Sequence, residues 1–350
     1  MEILLGKTLA ELQTVAVAAG LPKFAGKQLA EWLYVRRVRS FDEMTNISLK
    51  GRETLKASYS IGRHSPIAHA DSADGTKKFL FEADGQFIES VYIPEEERGT
   101  LCVSTQAGCK MGCKFCMTGT LGFHGHLSAA GILNQIFEVD AVVSSDGRSG
   151  GLTNLVYMGE GEPMDNIEHV LRSLEIMTAG YGCAWSPKRI TVSSVGVITG
   201  LKWFLAESDC HLAISLHNPF PAERQAIMPA EKMCSIADVV ALLKQYDWSH
   251  QRRVSFEYIC WAEVSGHAGN TSPRHAKELL RLLRGLPCRI NLIRFHGGNE
   301  QFRTADEKTM EWLRDYLTEN GVTTTIRRSR GEDILAACGQ LVATYGGDKA

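Results

Sequence analysis

The sequence predicts an α/β protein in which strands alternate with helices behind a small helical module. Three observations carry that prediction. Apolar residues recur at helical spacing in the opening segment, strand-like and helix-like segments then alternate about six times, and 350 residues suffice for one large domain plus a small one. With 44% hydrophobic and 22% charged residues, the composition is that of a folded globular chain and excludes disordered and fibrous classes. The sequence has no apolar run of about 18 residues. Met1–Lys7 has no basic segment followed by an apolar stretch and a cleavage site, so a cytoplasmic protein with no membrane contact is expected.

Taken in order, 8–19, 26–38 and 48–58 read as short amphipathic helices separated by a Gly-Leu-Pro turn at 20–22 and a polar turn at Phe41-Asp42. They make a module over 1–64. Within 65–98, Lys77–Glu82 and Phe87–Ile93 read as a β-hairpin around Asp84-Gly85. From 99 to 345 the candidate strands are Thr100–Thr105, Leu152–Met158, Arg189–Ser194, His211–Leu216, Arg253–Cys260 and Arg289–Phe295. Helical periodicity falls at about 129–144, 166–179, 235–247, 272–285 and 304–319, with Ser128, Asn166, Ser235, Ser272 and Thr304 as expected N-caps. Such alternation means parallel βαβ units. It fits a closed or partly open barrel and an open doubly wound sheet alike. In both, chemistry sits on the loops after strand carboxyl ends. Gly108–Thr118, Gly159–Asn166, Ser193–Gly196, Ser215–Asn218 and Phe295–Asn299 all fall there.

The formal net charge of -2 argues against a nucleic-acid coat that binds by bulk charge. The charge is uneven, however. Residues 1–64 hold ten Lys and Arg against six Asp and Glu, which makes the amino-terminal module the place to look for phosphate contacts.

Ten cysteines in a cytosolic chain point to metal binding or thiol chemistry more than to disulfides. Cys183, Cys210, Cys234, Cys260 and Cys288 are scattered and read as small core residues. Cys109, Cys113 and Cys116 form C-x3-C-x2-C after a strand, a spacing that lets three thiolates converge. A structural zinc site wants four ligands, and Cys102, His124 or His126 would have to supply the fourth. An iron–sulfur cubane with three thiolates leaves one iron open to a small molecule.

This motif, with Phe115 before its last cysteine, resembles the signature of radical S-adenosylmethionine enzymes. The likeness extends to Thr100–Cys109, Met158–Pro163, Ala213–His217, Ile290–Ile293 and Arg330–Leu341, which together resemble the RlmN/Cfr family of RNA adenosine methyltransferases over nearly the whole chain. The resemblance implies a partial (β/α)6 radical-SAM barrel with a [4Fe-4S] cluster held by Cys109, Cys113 and Cys116. It further implies S-adenosylmethionine contacts at Gly161, Glu162, Ser193, Ser215, Leu216, His217 and His296. Two positions depart from the family pattern. Glu160 stands where methionine is usual, and His296 where many members have asparagine.

By the same resemblance, Cys338 takes a methyl group from one S-adenosylmethionine, and a second molecule supplies the radical, two per turnover. Cys102 then attacks the Cys338 sulfur to form a transient disulfide, and Glu89 accepts a proton. The implied substrates are 23S ribosomal RNA in the peptidyl-transferase region and transfer RNA next to the anticodon, methylated at adenine carbon 2. An external donor such as flavodoxin or ferredoxin is implied. The alternatives are carbon-8 methylation of ribosomal RNA, as in the Cfr branch, a zinc-stabilised RNA-binding protein without catalysis, and a radical enzyme acting on a protein or small molecule. The base must leave its stack, so a basic groove is expected, with Arg327, Arg328 and Arg330 as further phosphate candidates. Nothing in the sequence calls for an obligate multimer, and a monomer is the expectation.

Overall fold

The computed structural model describes residues 1–145, 151–249, 254–264, 269–296 and 302–341. The amino-terminal module opens with β1 (Glu2–Ile3), paired in parallel with β2 (Tyr59–Ser60). Between them lie α1 (Leu9–Ala18), α2 (Ala25–Ala30) and α3 (Leu49–Ser58). Thr8 and Glu11 start α1 with a reciprocal capping box. The predicted helix 26–38 is only partly α. After Ala30 it widens into a π-turn over Glu31–Val35, with Arg36 N–H donating to the Glu31 carbonyl at 2.9 Å. The wider turn carries three successive side chains, Trp32, Leu33 and Tyr34, into the core.

A ten-stranded sheet dominates the rest. Its order is β14 (Thr323–Ile326), β13 (Cys288–Arg294), β12 (Val254–Cys260), β11 (His211–Ser215), β10 (Ile190–Ser194), β9 (Asn154–Tyr157), β6 (Arg98–Cys102), β5 (Gln86–Glu95), β4 (Lys77–Ala83), β3 (Ala68–Asp71). Strands β6 and β9 to β14 are mutually parallel, whereas β3 to β6 pair antiparallel. The parallel strands succeed one another without a reversal of order. That decides between the two architectures, because a doubly wound sheet reverses at a switch point, whereas a one-way winding keeps its helices on one face and curls. The result is a partial barrel whose sheet is prolonged by the predicted hairpin. A small antiparallel pair, β7 (Gln106–Gly108) with β8 (Phe123–His126), stands beside it.

The helices of this part are α4 (Met117–Thr120), α5 (Ala129–Ser145), α6 (Ile167–Thr178), α7 (Ile198–Glu207), α8 (Pro221–Ile227), α9 (Ile236–Gln245), α10 (Pro273–Leu283) and α11 (Glu307–Glu319). The periodicity reading did not include α7 or α8, nor strands β3 and β14. Ala68–Asp71 is largely exposed and Thr323–Ile326 carries three threonines, as suits edge strands. The module packs on α5, sharing one apolar core with the sheet. Arg63 and Arg39 pair with Glu138, Arg37 pairs with Asp140, and Arg63 Nη2 is 2.8 Å from the Glu138 carboxylate. Three of the module's ten basic residues are thus spent on docking, while Lys23, Lys27 and Lys50 face solvent.

Asn166, Ser235 and Ser272 stand at the expected N-cap positions of α6, α9 and α10, but of the expected caps only Ser128 closes its helix with its side chain, its hydroxyl accepting the Gly131 N–H at 3.1 Å. Asn166 sends its amide instead to the Thr105 and Leu127 carbonyls, each at 2.8 Å. At Ser235 the Glu231 carboxylate takes the Ile236 N–H, and Ser272 binds His275 Nδ1 at 2.7 Å. Thr304 lies outside α11, bridged to Trp261, and Asp306 caps that helix. Only at Asn166 does a partner far along the chain take the side chain; at Ser235, Ser272 and Thr304 a nearby residue, Glu231, His275 or Asp306, competes with the cap. Arg253 and the 297–299 part of the last predicted loop lie outside the described residues. Among the described residues no helix is long and apolar enough to cross a membrane.

Candidate active site

Strand alternation builds the site. Along the parallel strands one set of side chains, Leu101, Leu155, Val192, Ile290 and Leu292 among them, is buried under the helices. The other set, including Thr100 and Cys102, Thr191 and Ser193, Arg289 and Asn291, lines a concave cavity of about 550 Å³.

The cysteine loop follows β7 and forms one wall. Gly108 enters it at φ +67°, where a Cβ would stand 2.0 Å from the Gly122 carbonyl oxygen, so only glycine lets the two chain segments meet. Cys109 N–H donates to that same oxygen at 2.7 Å, and Lys114 N–H ties the loop to the Ile227 carbonyl at 2.9 Å. Cys109, Cys113 and Cys116 all line the cavity and pack in one apolar cluster with Met111, Phe115 and Trp261. Burial pushes the Cys109 thiol up to about 12, Cys113 well above its ordinary value, and Cys116 upward. A metal that binds them must displace their protons. Among the described residues no three His, Cys, Asp or Glu side chains converge on one point as the side chains stand. The donor set is nevertheless three soft sulfurs on one loop. Neither His124 nor His126 lines the cavity, and Cys102 sits in a different apolar cluster. Three thiolates without a fourth protein ligand fit an iron–sulfur cluster with one open iron and do not fit closed structural zinc.

The turn after β9 forms the adjoining wall, bonded to the start of the cysteine loop. Gly161 has φ +96°, and a Cβ there would meet Gln106 Cβ at 2.5 Å. Gln106 Oε1 accepts the Glu162 N–H at 2.8 Å, and its amide donates to Asp165 Oδ2 at 2.8 Å. The buried Glu162 carboxylate accepts N–H groups of Met164 at 3.0 Å and Val195 at 2.8 Å. Burial outweighs these donors and pushes its carboxyl up to about 7.

Ser193 and Ser215 line the cavity from β10 and β11. Leu216, expected among the cofactor contacts, does not line the cavity: its side chain is packed in the main core. His217 is buried at φ +54°. Its Nδ1 accepts the Ile259 N–H at 3.1 Å, which leaves the ring proton on Nε2, and burial lowers its pKa to about 3. The ring stands edge-on to Phe115, centroids 4.9 Å apart, linking this wall to the cysteine loop. Behind it lies a residue that sequence reading missed. Arg224, fully buried, donates to the carbonyls of Leu216 at 3.0 Å, Ser215 at 2.8 Å, Val195 at 3.0 Å and Cys234 at 3.2 Å, and pairs with Glu231. An arginine at i, i+7 from a glutamate was the only local signal.

The third wall carries the remaining cysteines. Cys102, buried at the end of β6, packs with Val91, Val156, Ala336 and Leu341, which brings the Cys338 loop against it. Cys338 is exposed within the cavity mouth, and all ten cysteines are free thiols. Burial, and next the proximity of Cys338, push the Cys102 thiol up to about 12, whereas Arg327 pulls it down. The Cys338 loop is fastened at both ends. Asp333 accepts from Ser72 Oγ at 2.6 Å and Ala73 N–H at 3.1 Å, while Gly339 O accepts the Met117 N–H at 2.7 Å. Of the three expected phosphate arginines, Arg327 faces inward beside Cys338, Arg330 lies 3.9 Å from Asp74, and Arg328 is exposed. His296 lines the cavity with Nε2 on Ser329 Oγ and Nδ1 3.4 Å from the Glu332 carboxylate.

Glu89 does not line the cavity directly. It lies on the same face of β5 as Val91, which pairs with Cys102, and its carbonyl accepts from Ser104 Oγ at 2.6 Å. Its buried carboxylate is 3.0 Å from Lys78 Nζ.

Residues 3–61 match the family model described as the ribosomal RNA large subunit methyltransferase N-terminal domain. The chain is 55% identical over 340 residues to a Phocaeicola vulgatus protein named "Probable dual-specificity RNA methyltransferase RlmN", covering 97% of this chain and 94% of that one. It is 39% identical to the Syntrophobacter fumaroxidans "Dual-specificity RNA methyltransferase RlmN", with 97% of each covered. The crystal structure of a radical SAM methyltransferase from Sphaerobacter thermophilus superposes with a TM-score of 0.90 at 35% identity, covering 98% of this chain and all of that one.

Proposed function

The chain belongs to the RlmN family of dual-specificity RNA methyltransferases, and we propose that it methylates adenine carbon 2 in 23S ribosomal RNA and in transfer RNA, carrying the new carbon on Cys338. One observation carries the assignment of roles: five cysteines face one cavity, three on a single loop, with Cys102 and the Cys338 loop brought together on another wall.

Cys109, Cys113 and Cys116 would hold a [4Fe-4S] cluster, and Gly161, Glu162, Ser193, Ser215, His217 and His296 would surround S-adenosylmethionine, with Leu216 packed in the core behind them. When bound, cluster and S-adenosylmethionine supply the one-electron chemistry that removes a hydrogen atom from a methyl group and takes back the electron released at the end. The protein supplies the rest. The exposed Cys338 sulfur bears the methyl group as a thioether. After loss of that hydrogen atom its methylene carbon bonds to carbon 2, and Glu89 takes the carbon-2 proton. The Cys102 sulfur bonds to the Cys338 sulfur as the sulfur–carbon bond breaks, and the departing carbon gains a proton to become methyl. Burial keeps Cys102 protonated until then, and the Arg327 guanidinium favours its thiolate as the attack begins. Neutral His217 and the apolar Phe115 and Trp261 exclude water from the radical. An acidic electron carrier of the flavodoxin or ferredoxin class supplies the electron, and the reaction takes place in the cytoplasm.

Nucleoside mass spectrometry of RNA incubated anaerobically with reconstituted protein, reductant and S-adenosylmethionine tests this reading. The expected product is 2-methyladenosine, absent with Cys338→Ala. An 8-methyl product moves the chain to the Cfr type of reaction, and retained turnover in Cys338→Ala overturns the carrier role.

A further inference from the structure

Glu160 departs from the pattern that the sequence otherwise resembles, and the chemistry above makes no use of it. It is 2% exposed and is not part of the cavity lining. A buried carboxylate is costly unless hydrogen bonds hold it, so its contacts indicate what it is for. One carboxylate oxygen accepts the Glu89 N–H at 2.8 Å and the other accepts the Gly108 N–H at 3.4 Å. The Glu160 N–H donates to Ser104 Oγ at 2.8 Å, and that hydroxyl donates to the Glu89 carbonyl at 2.6 Å. The Glu160 carbonyl accepts from Thr105 at 2.9 Å and Gln106 at 3.2 Å. One residue therefore grips both main-chain polar groups of Glu89, one directly and one through Ser104. The same residue holds the glycine that precedes the first cysteine of the loop. Methionine has no oxygen with which to bind two N–H groups.

We propose that Glu160 is a positioning residue for proton removal: it fixes the Glu89 main chain against the cysteine loop, and so sets where the Glu89 carboxylate stands relative to the carbon joined to Cys338. The inference rests on Glu89 being the proton acceptor. Burial, raising its carboxyl to about 7, agrees with a group kept for its contacts. Lys78, at 3.0 Å from Glu89, holds the side chain from the other direction.

The test is a single anaerobic turnover of the reconstituted full chain with RNA, quenched at intervals. Covalent protein–RNA adduct, released methyladenosine and 5′-deoxyadenosine are counted for wild type, Glu160→Gln, Glu160→Met and Glu89→Gln. A glutamine presents one acceptor oxygen and one donor amide, so it binds one of the two N–H groups and opposes the other. The expected result is 5′-deoxyadenosine within about twofold of wild type but adduct resolution slowed by about tenfold or more in both Glu160 variants. Wild-type adduct-to-product ratios in both overturn the proposal, as does loss of 5′-deoxyadenosine in proportion to lost iron, which would mean a role confined to the cysteine loop. Glu89→Gln separates the two ideas. If it resolves adduct normally, the proton-acceptor reading fails; if it stalls while the Glu160 variants do not, only the role of Glu160 fails.

Discussion

Replacing Arg224 with methionine removes a brace that touches nothing in the cavity yet holds two of its walls. The guanidinium is fully buried, donates to four carbonyls between 2.8 and 3.2 Å, and neutralises Glu231. Methionine matches its length and apolar stem, so little cavity forms, and the cost comes from the stranded polar groups. Breaking one partner of a buried pair costs about 3–5 kcal/mol. At roughly 2 °C per kcal/mol for a chain of this size, the expected fall in melting temperature is about 6–10 °C. Adding Glu231→Gln should recover about 1–2 kcal/mol, because the orphaned charge is then gone. Thermal unfolding of the purified single and double variants measures both. The carbonyls released belong to Ser215 and Leu216, so S-adenosylmethionine affinity should weaken by about tenfold, read by equilibrium binding. A single variant within about 1 kcal/mol of wild type would refute the reasoning, because it would mean that the carbonyls find other donors.

Other expectations follow from the same structure. Gly161→Ala forces a Cβ into Gln106 at 2.5 Å and occupies a left-handed conformation; it should cost about 2–4 kcal/mol in urea unfolding and abolish methylation in the variant that still folds. Glu162 has its carboxyl raised from 4.5 to about 7 in the folded chain. Its contribution is therefore complete below about pH 4.5 and lost as pH rises through about 7, by at most about 3 kcal/mol. Urea midpoints of cofactor-free protein at pH 5 and pH 8 should fall less for Glu162→Gln than for wild type, and an equal or larger fall in the variant contradicts the assignment. Asp333→Ala removes the Ser72 and Ala73 anchors of the Cys338 loop, so deuterium uptake over 331–341 should quicken several-fold while the sheet is unchanged.

Local spacing carried a large part of this molecule. Cys109, Cys113 and Cys116 are identifiable as a ligand set because their chemistry needs a short loop, and short loops are written contiguously. The six central strands and the long helices were legible because burial on one face imposes a period of two or 3.6 residues. Short polar edge strands such as β14, and α7 and α8, left no such imprint. What the spacing could not hold is anything decided across the sheet. The strand order, which makes a one-way barrel and not a doubly wound sheet, is a statement about neighbours far apart in sequence. So is the meeting of Cys102 with the Cys338 loop, whose positions lie far apart in the chain. The fates of the arginines differ for the same reason. Arg37, Arg39 and Arg63 look like phosphate ligands in a basic module until α5 places Glu138 and Asp140 against them, and Arg224 looks like a surface charge until the fold surrounds it with carbonyls. A charge or a thiol announces its chemistry in sequence, but its partner, and therefore its role, is chosen by the packing that brings distant strands together.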